Sequence, residues 1–368
     1  MRGHFVWCYA ACAAVTIANL SGANPARAAD AELARIIEAA KKEGEVHYID
    51  NQNQPKTAAA LEQGFRKRYG LPDGFKVTHT LRGTGEAVAT VQQEIKAGQH
   101  TIDLMWVGGS ASFLKAAAKS GDLLPYTSPE WKHYEGHVKR LGLEADPPQW
   151  ITPSGYAFVP VWNRKCPGFA NVQIKSWRDL IVPAFKGKAV IGDVRKSFTY
   201  TATWVGLEGA LGKDFYPKLA EVVQPAIIFR TEEMLQKGMS CEYPLSIFQL
   251  SGRVYQRARE DPALDMAFAW PQEGVVVLGW PMALLKGTRH PNAAKLLMDY
   301  LLSDEGMREM LAGEAVFSFR EGLKIPEAVT KYVPPVDQVK SIPVNWAGLN
   351  LAEVKKIQGE FRRVFRVD

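Results

Sequence analysis

Residues 76–97 read KVTHTLRGTGEAVATVQQEIKA, and this stretch holds a strand, a turn and a helix in immediate succession. Lys76–Leu81 is short and rich in β-branched side chains, bounded by a glycine-containing turn, which predicts a strand. From Glu86 to Ala97 the apolar residues recur at helical spacing, which predicts a helix. Arg82-Gly83-Thr84-Gly85 joins the two. The same unit repeats on both sides. Upstream, an amphipathic helix over Ala31–Lys42 stops at Gly44, a buried strand covers Val46–Ile49, and a second helix covers Thr57–Tyr69. Downstream, Asp103–Val107 reads as a further strand. Short strands alternating with helices imply a parallel sheet. Right-handed crossovers then put every strand-to-helix loop on one edge, where open sheets bind ligands. The loops so placed are 50–54, 82–85 and 108–110.

A Pro- and aromatic-rich passage, Pro125–Pro153, leads into an extended run from Gly155 to Asn163, after which a second alternating set begins. A strand at Ala189–Ile191 feeds the loop Gly192–Lys196 and a helix from about Ser197, and another strand covers Leu245–Phe248. The chain returns through Met266–Leu284, two apolar stretches divided by Pro271–Gly274, and a helix then runs from His290-Pro291-Asn292 to Leu302. The expected fold is therefore α/β and two-lobed, each lobe a mainly parallel sheet flanked by helices, with two crossings forming a hinge. The expected boundaries are 29–154 for the first part of lobe 1, 155–275 for lobe 2 with its crossings, and 276–368 for the return to lobe 1 and the C-terminal helices.

The first 28 residues have the zones of a secretory signal peptide: basic Arg2, an apolar run from Phe5 to Leu20, and Ala26-Arg27-Ala28 as a cleavage site. The run is shorter than the roughly 20 residues a spanning helix needs. Loss of this segment would remove two basic residues and no acidic one, taking the formal charge from +6 to +4. The remaining basic residues are scattered among acids, so no nucleic-acid stripe is present. The 368 residues of the chain exceed what one core usually serves, which also argues for two domains. Cys8 and Cys12 lie in the leader. Cys166 and Cys241 remain for an oxidising compartment, either paired or as separate thiols.

Several segments together resemble the periplasmic solute-binding proteins of ABC importers, in the branch that contains the ferric-ion binders. They are Leu81–Glu86, Asp103–Ser110 with Phe113, Gly121–Tyr126, Ser128-Pro129-Glu130, Lys286-Gly287 to Lys295, and Tyr300–Ser303. The resemblance implies a type II periplasmic-binding fold, a membrane permease as partner, a monomer, and a periplasmic location. It implies no cofactor and no enzyme activity. Ferric binders hold iron through oxygen ligands that include two adjacent tyrosines, because hard Fe(III) favours phenolate and carboxylate. Here no Tyr-Tyr pair exists; Gln249-Leu250-Ser251-Gly252 stands in its place, Asp50–Asn53 stands where the family has its first-strand histidine, and Gly108-Gly109 replaces an acidic ligand. Tyr200, Tyr243 and Tyr255 are the remaining candidate phenolates.

The residue chemistry favours an anion instead. Arg82, Thr84 and Gly85 open a helix after a strand, so backbone amides, a hydroxyl and a guanidinium converge. Arg195, Lys196, Ser197 and Thr199 repeat that design in the second lobe. Gly109 and Ser110 continue the first-lobe edge, and Trp106 and Trp280 are candidate floors of the cleft. Each has a plainer reading: Arg82 as a solvated cation, Arg195 or Lys196 paired with Asp193, Ser197 or Thr199 as a helix cap, and the tryptophans as core. The leading expectation is capture of a small organic anion, a carboxylate or phosphate ester. Alternatives are ferric-ion uptake and a secreted enzyme on a related fold, although no Gly-x-Ser-x-Gly, His-Glu-x-x-His or Walker loop occurs.

Overall fold

A computed structural model of the chain describes residues 1, 3 and 25–368. Most of the leader read over residues 1–28, namely residues 2 and 4–24, lies outside the described residues.

The chain opens with α1 (Pro25–Glu43), β1 (Glu45–Asp50), α2 (Pro55–Tyr69), β2 (Lys76–Leu81), α3 (Thr84–Ala97), β3 (Leu104–Trp106) and α4 (Ala111–Ser120). Three helices in a row stop at a glycine in the left-handed region, Gly70 (φ +56°), Gly98 (φ +64°) and Gly121 (φ +78°), whose amide closes the last turn. β1 alternates as a doubly covered strand must. Val46 and Tyr48 join the core cluster holding Leu61 and Phe65 of α2, while Ile49 joins the cluster holding Ala87 and Val91 of α3. Then follow α5 (Glu135–Arg140), β4 (Ile151–Tyr156), β5 (Val159–Asn163), β6 (Ala189–Gly192), α6 (Phe198–Leu211), α7 (Phe215–Val222), β7 (Ala226–Ile228), α8 (Thr231–Met239), β8 (Leu245–Gln249), α9 (Ser251–Glu260) and β9 (Met266–Phe268). The chain ends with β10 (Leu278–Leu284), α10 (Pro291–Leu302), α11 (Asp304–Glu314), β11 (Phe317–Ser318), α12 (Glu327–Thr330) and α13 (Leu351–Phe365).

Two sheets result, in the order β11-β4-β10-β3-β1-β2 and β7-β6-β8-β5-β9. Strands joined through helices are parallel, as the alternation predicts: β1 with β2 and β3, β6 with β7 and β8. Strands that enter or leave a sheet through a crossing are antiparallel to their neighbours, so both sheets are mixed rather than mainly parallel. The first crossing is Ala157–Phe158, between β4 and β5, and the second is residues 269–277, between β9 and β10. A third passage was not anticipated. After β11 the chain runs back beside the second crossing, where Val275 donates to Lys340 and Ile342 donates to Val275, and α13 packs on α6 and α7. Cys166 and Cys241 form a disulfide, their Cα atoms 5.5 Å apart.

Candidate functional site

The parallel topology sends the C-terminal ends of β1, β2 and β3 to one edge of the first sheet and those of β6, β7 and β8 to one edge of the second. The helices that follow, α2, α3, α4, α6, α8 and α9, all begin at these edges. Three of their starts meet around Gly109. A Cβ at this glycine (φ +79°) would lie 3.4 Å from the Thr84 methyl at the start of α3 and 3.2 Å from the Thr199 methyl at the start of α6. Gly109 itself lies two residues before α4, whose N-cap is Ser110. First-turn amides have no partner within their own helix, so the meeting point favours negative charge.

Asn51 stitches the first-lobe loops together. Its amide nitrogen donates to the Thr84 hydroxyl at 2.8 Å, its oxygen accepts from the Gly108 amide at 3.0 Å, and Thr84 donates to the Gly108 carbonyl at 3.0 Å. Asp50 fixes the loop beneath: its carboxylate accepts from the amides of Gln52 and Asn53 and from the Asn53 side chain, with His79 Nε2 at 3.1 Å. Across the cleft the hydroxyls of Ser197 and Thr199 are 2.8 Å apart. Tyr156, at the end of β4, joins the two sides. Its ring packs over Gly108, and burial pushes the phenol up to about 12, with the nearby Thr199 hydroxyl acting the other way. Neither Asn51 nor Tyr156 was singled out from the sequence. The only signals were position in a strand-end loop for Asn51 and at the mouth of a crossing for Tyr156.

The predicted residues divide. Thr84, Gly109, Ser197 and Thr199 come together at this point. Arg82 and Lys196 are exposed near it, without an ion-pair partner among the described residues, and Gly85 is exposed in the first turn of α3. Arg195 does not face the cleft. It grips Asp193 through two nitrogens, at 2.8 and 2.9 Å, bonds the main-chain oxygen of Asp368, and lies over the Phe361 ring of α13. Asp193 is buried, and both its oxygens hold the nearest guanidinium, so that guanidinium is not free for a ligand. Ser110 turns its hydroxyl to the Val107 carbonyl at 2.7 Å. Trp106 and Trp280 are core residues rather than a cleft floor: both are fully buried, stacked at 4.6 Å, and each indole donates to the other's carbonyl.

The candidate phenolates are likewise committed elsewhere. Tyr200 donates to Phe229 and Tyr255 to Ala312, while Gln249 donates to Thr231 and accepts from Leu250. The Tyr243 ring lies under Lys237. Among the described residues no group of three or more His, Cys, Asp or Glu side chains is placed to hold a metal ion. Beside the cleft, α9 grips the end of α11. Buried Glu314 accepts from the Gln54 amide, the Thr57 hydroxyl and the Gln256 side chain at 2.6–2.7 Å, with Arg253 3.9 Å away. Burial pushes the Glu314 carboxyl up, against these hydrogen bonds.

Residues 101–342 match a family described as bacterial extracellular solute-binding protein. An uncharacterized protein of Haemophilus influenzae is 26% identical over 257 residues, covering 65% of this chain and 69% of that protein. Solved structures with a similar fold include iron-bound HitA from Pseudomonas aeruginosa (17% identity, TM-score 0.66, 86% of this chain and 98% of that one). Another is the periplasmic binding protein AfuA from Actinobacillus pleuropneumoniae with exogenous fructose-6-phosphate bound (16%, TM-score 0.70, 88% and 99%). A third is the substrate binding protein of an ABC transporter from Agrobacterium tumefaciens (12%, TM-score 0.71, 88% and 95%). At these identities the structural likeness is one of fold.

Proposed function

This chain belongs to the bacterial extracellular solute-binding protein family, and from that premise we propose that it captures a small organic anion, a carboxylate or phosphate ester, between its two lobes. Proteins of this family bind a small ligand and deliver it to the permease of an ABC importer; they are substrate carriers rather than enzymes. The proposed location is the periplasm, reached through the leader at residues 1–28, and the proposed working form is a monomer. One observation carries the choice of an anion: the starts of α3, α4 and α6 converge on Gly109, with the hydroxyls of Thr84, Ser197, Thr199 and Tyr156 around it. First-turn amides, and whichever of the Ser197 and Thr199 hydroxyls does not donate to the other, offer hydrogens without bringing a competing negative charge, while the Thr84 hydroxyl is committed to the Gly108 carbonyl. Arg82 supplies a cation at the rim, and closure over the solute strengthens each of these contacts by excluding water. Arg195 takes no part in this reading.

Native mass spectrometry of protein purified without refolding tests it, since a tight carrier retains what it caught. The expected result is an adduct with the mass of a small organic anion, lost on washing at high salt and weakened about tenfold or more in Arg82→Ala or Thr84→Val. An adduct that is neutral or cationic would overturn the reading. The ferric alternative draws on the fold shared with iron-bound HitA, but the donor chemistry here opposes it, because the Tyr200 and Tyr255 hydroxyls donate to carbonyls and Gln249 stands near the expected phenolate pair. Phenolate-bound Fe(III) absorbs visible light, so a colourless protein after ferric loading argues against this alternative.

A further inference from the structure

β9 is the last strand of the second sheet, and it pairs with β5 alone. Arg164 donates to the Asp265 carbonyl and Ala269 to the Pro160 carbonyl, so residues 265, 267 and 269 turn their main-chain groups towards β5. The amide and carbonyl of Phe268 therefore face away from the sheet, and they have no main-chain partner among the described residues. An unpaired edge of this kind is a template for another chain unless something covers it. Here it borders an open groove of about 520 Å³. Residues 172–175 form the groove's other wall, and there too the amides of Gln173 and Ile174 make no hydrogen bond among the described residues. The Gln272 amide donates to the Lys175 carbonyl at 2.8 Å and joins the two walls at one end. The groove is basic: Arg164 and Lys175 line it, and no acidic residue does. Asp265 holds Arg164 from outside, whereas Lys175 is exposed and has no ion-pair partner among the described residues. None of the residues around Gly109 takes part in it.

We propose that this groove receives an extended, acidic segment of a partner protein, which adds a strand to β9 in the space between β9 and residues 172–175. An extended chain carries main-chain donors and acceptors on both of its edges, so a single strand meets both walls at once. The half-buried rings of Phe268 and Trp270 offer apolar contact to alternate side chains of that strand. Arg164 and Lys175 then select carboxylates among its other side chains. A second copy of this chain fits less well, because the wall at 172–175 admits one extended strand but not the edge of a whole sheet. A small anion would pair with Lys175 and leave the edge of β9 as it was. The proposal does not depend on what the cleft between the lobes holds.

Fluorescence anisotropy of the full chain tests this with three labelled hexapeptides: alternating valine and glutamate, alternating valine and lysine, and the glutamate peptide N-methylated at every second amide. The glutamate peptide should bind about tenfold or more tighter than either of the others, since one control reverses the charge and the other removes the main-chain donors. Hydrogen exchange with the glutamate peptide bound should slow at residues 172–175 and 266–270. Phe268→Pro removes the outward amide, at an edge position where proline is tolerated, and Lys175→Glu reverses an exposed charge. Each should weaken the glutamate peptide about tenfold at a near-parental melting temperature. Equal binding of the lysine or the N-methylated peptide overturns the proposal, as does absence of binding to the parent chain, protection confined to the cleft, or parental affinity in both variants. A concentration-dependent dimer whose contact protects residues 266–270 would give the edge to a second copy and overturn it as well.

Discussion

Arg195 shows how far a residue's chemistry can be read from its neighbours in sequence and where that reading stops. A cation two residues from an aspartate, ahead of a run of hydroxyls, looks the same whether it waits for a ligand or closes on the aspartate. The burial of Asp193 decides, and burial is a tertiary property. Removing Arg195 leaves that carboxylate without its partner, so Arg195→Met should lower unfolding stability by about 2 kcal/mol while leaving solute affinity unchanged. Denaturant unfolding and titration of the same preparation check both halves, and a loss of affinity at full stability would return Arg195 to the site. Asp299 is the second case. It is buried on α10 with Tyr126 donating to it at 2.7 Å, and burial pushes its carboxyl up to about 6 from 3.8, partly opposed by hydrogen bonds from Ser128 and Tyr126. A folded pKa above the unfolded one means stability that is fully present below about pH 4 and is lost as pH rises through about 6. Asp299→Asn should therefore be more stable than the parent at pH 7.5, by up to about 3 kcal/mol, with the gap closing towards pH 4. Parallel melting curves across that range test the sign.

Elements were more legible than residues. Lys76–Leu81 matches β2 in full and Thr57–Tyr69 matches α2 apart from its first two residues, because periodicity and terminal glycines are local signals that tertiary packing here reinforces. The long run at 155–163 proved to be the end of β4, a two-residue crossing and β5; nothing in its uniformly apolar composition marks the point where one sheet ends and another begins. The third passage was invisible for a related reason. Residues 319–350 have no regular period, and their placement depends on bonds to Val275, which lies far away in sequence. The disulfide is the element-scale feature that sequence left open. It ties the turn after β5 to the end of α8 across a separation of 75 residues, at the end of β5 away from the cleft. Replacing both cysteines by serine should lower unfolding stability by about 2–4 kcal/mol and change solute affinity by less than twofold. A large change in affinity would mean that the bridge shapes the cleft.

On the scale of the whole molecule, the proposed capture depends on two halves meeting, and the structure shows surfaces by which they meet. The starts of α3 and α6 touch around Gly109, and α9 of the second sheet's half closes on the end of α11 of the first, with Tyr255 and Arg259 donating to the Ala312 carbonyl at 2.7 and 2.9 Å. Gly252 is the pivot of this second contact. A Cβ there would lie 2.5 Å from the main-chain oxygens of both Glu314 and Ala315, closer than non-bonded atoms allow and against backbone that cannot swing aside. Gly252→Ala therefore leaves each half its own core but penalises their approach. Apparent affinity scales with the fraction of molecules able to close, so a variant that closes one time in ten binds ten times more weakly at unchanged intrinsic contacts. The expected outcome is a tenfold or larger rise in solute Kd, with a near-parental melting temperature in the absence of solute and a radius of gyration by small-angle scattering that no longer contracts when solute is added. Parental affinity in Gly252→Ala would mean that capture does not require this approach of the lobes.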